Sequence, residues 1–158
     1  MGNIRRILVP VDFSPPSRAA VRYAGELAQE LGATIDLLHI WRPPTFIPAG
    51  VMVVVPGAAD HQSLESLAET EIAESMHALV AELKAERGIE ARLRVGFQPG
   101  SPADPIVELA ERGEFDLIVM GTHGRTGVAR LFLGSVAERV ARLSHCPVLI
   151  VPAPAAAA

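Results

Sequence analysis

The sequence is short of several things that define function classes. It holds one cysteine, Cys146, in 158 residues, so no disulfide can close within a chain and no cysteine cluster can hold a metal. Aromatic residues are 4% of the chain, which leaves few platforms for stacking the bases of single-stranded nucleic acid. An excess of positive charge is also missing. With 14 Lys and Arg against 18 Asp and Glu the net charge is −4, which argues against nucleic acid or an anionic membrane as the main partner. No apolar run is long enough to span a bilayer. The opening "MGNIRRILVPVD" runs directly into what reads as a core strand rather than a secretory leader. Its sixth residue, Arg6, stands where a myristoylation signal has Ser or Thr. A cytoplasmic protein is expected.

What is present is apolar: 49% of the residues are hydrophobic, enough for one domain with a substantial core. We expect that domain over residues 1–152, with "APAAAA" at 153–158 as a disordered tail. "IRRILVPVD" is the kind of continuous apolar run that strands buried on both faces show. In "SPPSRAAVRYAGELAQELG", Ser14 suits an N-cap and Pro15 the first helical position. Ala20, Ala24, Leu27, Ala28 and Leu31 share a face, and Gly32 suits the helix stop. "TIDLLHIW" reads as a second strand. Residues 42–62 break the rhythm, with prolines and glycines around "VMVVV". This run could be a flap, a partner surface or a packed segment. A long helix is expected from Ser63 to Arg87, closed by Gly88. "ARLRVGF" alternates, Ala91, Leu93, Val95 and Phe97 facing one way and Arg92 and Arg94 the other, as in an edge strand with one wet face. Asp104 and Pro105 open a third helix that stops near Gly113, and "DLIVMG" is a fourth strand. A helix from Ser135 to Leu143 and a short edge strand in "CPVLIVP" complete the chain.

This alternation predicts a single α/β domain, Rossmann-like: a doubly wound sheet of five parallel strands in the order 3-2-1-4-5 with helices on both faces. Ligands of such sheets bind beyond the carboxyl ends of the strands where the order reverses, here between the first and fourth strands. "PVD" (Pro10, Val11, Asp12) and "MGTHGRTG" (Met120 to Gly127) meet at that point. Gly121, Gly124 and Gly127 let the backbone approach a ligand and turn its N–H groups into an anion-binding nest. Gly134 and Ser135 enter the last helix, whose first N–H groups also favour an anion. Arg125 adds a charge able to grip phosphate at two points. Two anion-seeking devices one loop apart suit a polyphosphate. Neither the Walker A pattern nor the dinucleotide fingerprint is present.

"GTHGRTGVARLFLGS" reads G-x2-G-x9-G-S, and in this it resembles the ATP-binding branch of the universal stress protein family. The likeness runs through "ILVPVDFSPPSRAAVRYAGELAQELGATIDLLHI" and "DLIVMGTHGRTGVARLFLGSVAERVARLSHCPVLIVP", leaving 42–62 unmatched. The resemblance implies ATP as ligand, with Val11 and Asp12 at the adenosine end and Asp12 near the ribose. Ile40 would border adenine, and Gly121, Gly124, Arg125, Gly134, Ser135 and Val136 would surround the phosphates. Magnesium would be held by phosphate oxygens, with no protein metal ligands assigned. The resemblance also implies a homodimer joined through the last strand, Val148, Leu149, Ile150 and Val151.

Plainer readings stand beside these. Asp12 could cap the first helix, Gly121 and Gly124 could serve turns, and Arg125 could be a solvated loop charge. His123, without an identified partner, reads as polar surface rather than a catalytic group. His39 and His145 read as strand-end residues, and Cys146 as a small buried hydrophobe. The function expected is an ATP-binding regulatory, stress-response protein acting as a nucleotide-dependent dimeric switch. One alternative is a slow ATPase or phosphotransfer enzyme, for which only Asp12 and His123 offer a base. The other is an interaction protein independent of nucleotide. No catalytic residue is assigned.

Overall fold

The structure, a computed structural model, describes residues 3–43, 48–54, 56–57, 61–122 and 133–152. Eleven elements follow one another in these residues. They are β1 (Arg6–Pro10), α1 (Pro15–Leu31), β2 (Thr34–Trp41), β3 (Met52–Val53), β4 (Gln62–Ser63), α2 (Leu64–Arg87), β5 (Ala91–Phe97), α3 (Ala103–Arg112), β6 (Leu117–Gly121), α4 (Ser135–Leu143) and β7 (Val148–Val151).

Five strands form one parallel sheet in the order β5-β2-β1-β6-β7. This is the expected arrangement, with one addition: β3 and β4 pair antiparallel as a small hairpin of their own. The central strands are apolar on both faces because each face meets helices. Ile7, Val9, Ile35, Leu37, Leu117 and Val119 pack with Ala20 and Ala24 of α1 and with Ile72, Met76, Leu79 and Leu83 of α2. Leu8, Leu38, Ile118 and Met120 turn the other way and pack with Ala103, Ile106 and Ala110 of α3 and Ala137 and Val140 of α4. Period-2 alternation along the strand thus feeds two cores, and long apolar runs are the result, broken in β2 by the buried Asp36 and His39.

The helix ends follow their sequences. Ser14 caps α1, Pro15 begins it, and Gly32 closes it in the left-handed region at φ 66°. Ser63 caps α2 and Gly88 closes it at φ 68°. Leu31, expected on the inner face of α1, is exposed instead. It is the last residue of the helix, so the sheet no longer covers it. Val95 and Phe97 are likewise exposed, since β5 has a neighbour on one side only and α2 packs on the first part of the strand, Ala91 and Leu93. The "VMVVV" run contributes Met52 and Val53 to β3. Met52 is 56% exposed and Val54 74% exposed, so these two side chains are not core. The expected disordered tail at 153–158 lies outside the described residues.

Candidate functional site

At the reversal of strand order the sheet splits. β1 and β6 are in register at Ile7↔Leu117 and Leu8↔Ile118. Beyond that, β1 follows β2 (Val9↔Leu37, Pro10↔Leu38) and β6 follows β7 (Met120↔Ile150, Gly121↔Val151). Two strands held by different neighbours part at their carboxyl ends, and the crevice between them is where a doubly wound sheet takes its ligand.

One wall of the crevice is the turn from β1 into α1. Asp12 Oδ1 accepts hydrogen bonds from the Ser14 amide at 3.0 Å and the Ser14 hydroxyl at 2.5 Å. The Asp12 amide donates to Ser17 Oγ at 3.1 Å, and the Ser14 hydroxyl accepts from the Ser17 amide at 3.4 Å. Asp12 therefore does take part in capping α1. Both side-chain bonds use Oδ1, and Oδ2 has no part in the turn. Phe13, directly after it, has φ 65°, a conformation that side chains with a Cβ pay for.

The other wall is the end of β6 and the start of α4. An ideal Cβ on Gly121 would lie 2.7 Å from the Pro16 carbonyl carbon. Glycine is required there because the first turn of α1 lies against it. Gly134 is the N-cap of α4, in extended conformation, and among the described residues no side chain caps the helix. Its own amide donates to the Thr122 carbonyl at 2.6 Å, and the Thr122 amide donates to the Val151 carbonyl at 3.0 Å. This pins the start of α4 to the end of β6 and β7. A helix that begins without a side-chain acceptor presents its first N–H groups outward, and these favour negative charge.

Ile40, Met120 and Val136 belong to one apolar cluster, on the α3–α4 side of the sheet. The structure thus brings Pro10, Val11 and Asp12 to one side of the crevice and Met120, Gly121, Gly134, Ser135 and Val136 to the other, with Ile40 at the end of the next strand. His123, Gly124 and Arg125 lie outside the described residues. Asp36 was not singled out from the sequence, and His39 was read only as a strand-end residue. Both are buried, Asp36 bonded to Arg94 Nε at 2.6 Å and His39 Nδ1 2.8 Å from the Val11 carbonyl. Both lie within a strand that is apolar on both faces, and in such a strand each face meets a core.

Cys146 is half-buried; burial raises its thiol pKa, with a smaller push from Asp116. A protonated thiol is a poor nucleophile. Among the described residues no three His, Cys, Asp or Glu come together as metal ligands, and no helix is long and apolar enough to cross a membrane.

A split parallel sheet with an uncapped helix start at its switch point defines a class: doubly wound α/β proteins that take ligands at strand ends. The comparisons narrow the class. The sequence model of the universal stress protein family matches residues 3–152, and the chain belongs to that family. It is 35% identical to a universal stress protein of Methanocaldococcus jannaschii over 150 residues, 95% of this chain and 83% of the relative. The structure of universal stress protein UspA from Lactobacillus plantarum shares the fold, with TM-score 0.72 at 21% identity over 96% of this chain and 99% of that one. A universal stress protein solved in complex with cAMP superposes with TM-score 0.67 at 27% identity over 95% and 98% of the two chains.

Proposed function

We propose that this chain binds an adenine nucleotide at the crevice between β1 and β6, with ATP as the ligand, and that it works as a nucleotide-dependent regulatory dimer in a stress response. The observation that carries the reading is the start of α4. Gly134 and Ser135 open that helix with no side-chain cap among the described residues, and the Thr122 carbonyl fixes it beside the end of β6. The cAMP-bound relative adds that a protein of this family and fold takes an adenine nucleotide.

The residues fit such a ligand. The α4 amides and the Ser135 hydroxyl would meet phosphate, together with Gly121, Gly124 and Arg125. Asp12 would accept from ribose hydroxyls through Oδ2, beside Pro10 and Val11. Ile40, Met120 and Val136, already one apolar cluster, would border the base. Magnesium would be carried by the phosphates, neutralising them as it binds. Calorimetry of the purified protein with ATP and magnesium tests the reading: saturable one-site binding is expected. Absence of binding to ATP, ADP, AMP and cAMP alike would overturn it. Incubation with ATP and magnesium should release little phosphate. Fast turnover abolished by Asp12→Asn would move the protein to the enzyme reading.

A further inference from the structure

His39 is buried, 8% exposed, and is not one of the residues that would touch nucleotide. It lies next to Ile40 on β2, so its side chain faces the opposite side of the sheet, towards α1 and α2. Its Nδ1 is 2.8 Å from the Val11 carbonyl. A carbonyl only accepts, so the proton sits on Nδ1 and the imidazole donates. The position of that bond matters. The Val11 amide still donates to the Leu38 carbonyl at 2.8 Å, which continues the ladder between β1 and β2. In a continuing parallel ladder the next donor to the Val11 carbonyl would be an amide of β2. The register ends at Pro10↔Leu38, and the imidazole takes the Val11 carbonyl. The chain leaves the sheet at this residue, with its last carbonyl held by a side chain from behind.

The same ring holds the chain a second time. Phe13 stacks on His39 with ring centroids 4.8 Å apart and planes tilted 32°. Phe13 is the residue at φ 65°, and such a backbone persists only where its surroundings hold it. Behind the stack lies a cavity of about 110 Å³, lined by Phe13, His39, Trp41, Ala68, Glu71 and Ile72 among others. Phe13 also packs on the α1–α2 core, and the imidazole is the contact that ties its ring to β2. Asp12 sits between the two points His39 grips, Val11 on one side and Phe13 on the other.

We infer that His39 is a positioning residue for the nucleotide site: from the far face of the sheet it clamps the β1–α1 turn and so fixes where the Asp12 carboxylate meets the ribose. This rests on the nucleotide reading above. The competing view is that His39 only satisfies a core carbonyl and contributes stability.

The test compares ATP with 2′,3′-dideoxy-ATP, which lacks the hydroxyls Asp12 would accept. Affinities are measured for wild type, His39→Leu and His39→Asn, each checked by circular dichroism and thermal melting. Leu keeps bulk and loses the donor; Asn keeps an N–H close to the place of Nδ1. Wild type should prefer ATP. His39→Leu should weaken ATP about tenfold, equivalent to about 1.4 kcal/mol, and leave dideoxy-ATP nearly unchanged, so that the preference collapses. His39→Asn should restore most of it. If His39→Leu does not fold, Phe13→Gly takes its place, because glycine keeps the left-handed backbone and removes the ring; the same collapse is expected. A wild type that binds ATP, with folded variants that keep the ATP preference and lose only melting temperature, overturns the positioning role. A wild type that binds no adenine nucleotide overturns the function itself, and the two failures are told apart by that first titration.

Discussion

Asp36 is an acid in the middle of a mostly apolar strand, and it is fully buried. Arg94 on the neighbouring edge strand reaches its Oδ2 at 2.6 Å, with 38% of the Arg94 side chain still exposed. Oδ1 has no hydrogen-bond partner. A buried carboxylate that loses its counter-charge is costly, whereas an apolar pair in the same space is often tolerated. Arg94→Ala should therefore lower stability by about 3 kcal/mol, and the double change Asp36→Leu with Arg94→Leu should recover much of it. Denaturant melts of the single and double variants check this; equal losses in both would mean that the ion pair is not what matters. Gly121 shows the limit of reading single residues. Its place in G-x2-G marks it for phosphate, but its nearest constraint is the Pro16 backbone 2.7 Å from where a Cβ would stand. Gly121→Ala should cost about 1–3 kcal/mol by overpacking even without nucleotide. A melt of the unliganded variant that matches wild type would remove that constraint.

Among the elements, α4 is the one whose stability and function pull apart. Its N-cap is Gly134 at φ −60°, a conformation open to any residue. Asp is a good N-cap, at least equal to Gly by a few tenths of a kcal/mol, yet its carboxylate would stand where phosphate is proposed. Gly134→Asp should keep or slightly raise the melting temperature while weakening ATP at least about tenfold through like-charge repulsion. Unchanged affinity in a folded variant would move the phosphates elsewhere. At the opposite end of the sheet, Asp116 ties β1 to the start of β6. Its Oδ2 accepts from the Arg5 and Arg6 amides at 2.8 and 2.9 Å, and these bonds hold its carboxyl below the usual carboxylate range. A pKa lowered on folding gives stability that is present above the unfolded value, about 3.9, and lost as pH falls through the folded value. The melting temperatures of wild type and Asp116→Ala should differ by a constant amount from neutral pH to about pH 5 and converge below about pH 4. A gap that does not narrow as pH falls below about 4 would mean the two bonds do not depend on charge.

These elements also show what could be read beforehand. The five strands and their order were legible because β1 and β6 carry uninterrupted apolar runs, β2 is mostly apolar although Asp36 and His39 interrupt it, and the caps at Ser14, Gly32, Ser63 and Gly88 bound the helices between them. The β3–β4 hairpin was not. Its strands have two residues each, too short for a period-2 pattern to register, and Met52 is exposed with Val53 only half-buried. At the site, the glycine spacing placed Gly134 and Ser135 correctly at a helix start. The N-cap Ser14 and a capping role for Asp12 were legible too, whereas the His39 bond was hidden, because a side chain's partner across the fold leaves no trace in local spacing.

For the whole molecule the open question is the edge formed by β7. Val148, Leu149, Ile150 and Val151 are each half-buried in the single chain, and among the described residues β7 has a strand neighbour only in β6. Such an edge invites pairing with another strand, and a second copy about a two-fold axis would satisfy both edges at once. Hydrogen bonds give the strand's orientation. The Pro147 carbonyl accepts from Ile118 at 2.9 Å and the Val151 carbonyl from Thr122 at 3.0 Å. In a parallel ladder the alternate residues 147, 149 and 151 thus turn their backbone groups to β6, and Val148 and Ile150 turn theirs outward. An acid at Leu149 would confuse matters, because Leu149 packs on the α1–α2 core. Ile150→Pro removes an outward N–H and spares the bonds to β6, and proline is tolerated at a sheet edge. The proposed dimer should sediment as a dimer at micromolar concentration, and Ile150→Pro should dissociate it while keeping most of the melting temperature. The link to nucleotide is short. Thr122 donates to Val151 and accepts from Gly134, so one residue joins the edge strand to the N-terminal end of α4. If that link carries the switch, ATP changes the dimerisation constant, and by reciprocity dimerisation changes ATP affinity by the same factor. Sedimentation with and without saturating ATP reads that factor directly. A monomeric wild type sinks the dimer, and a dimerisation constant indifferent to ATP leaves a dimer that is no switch.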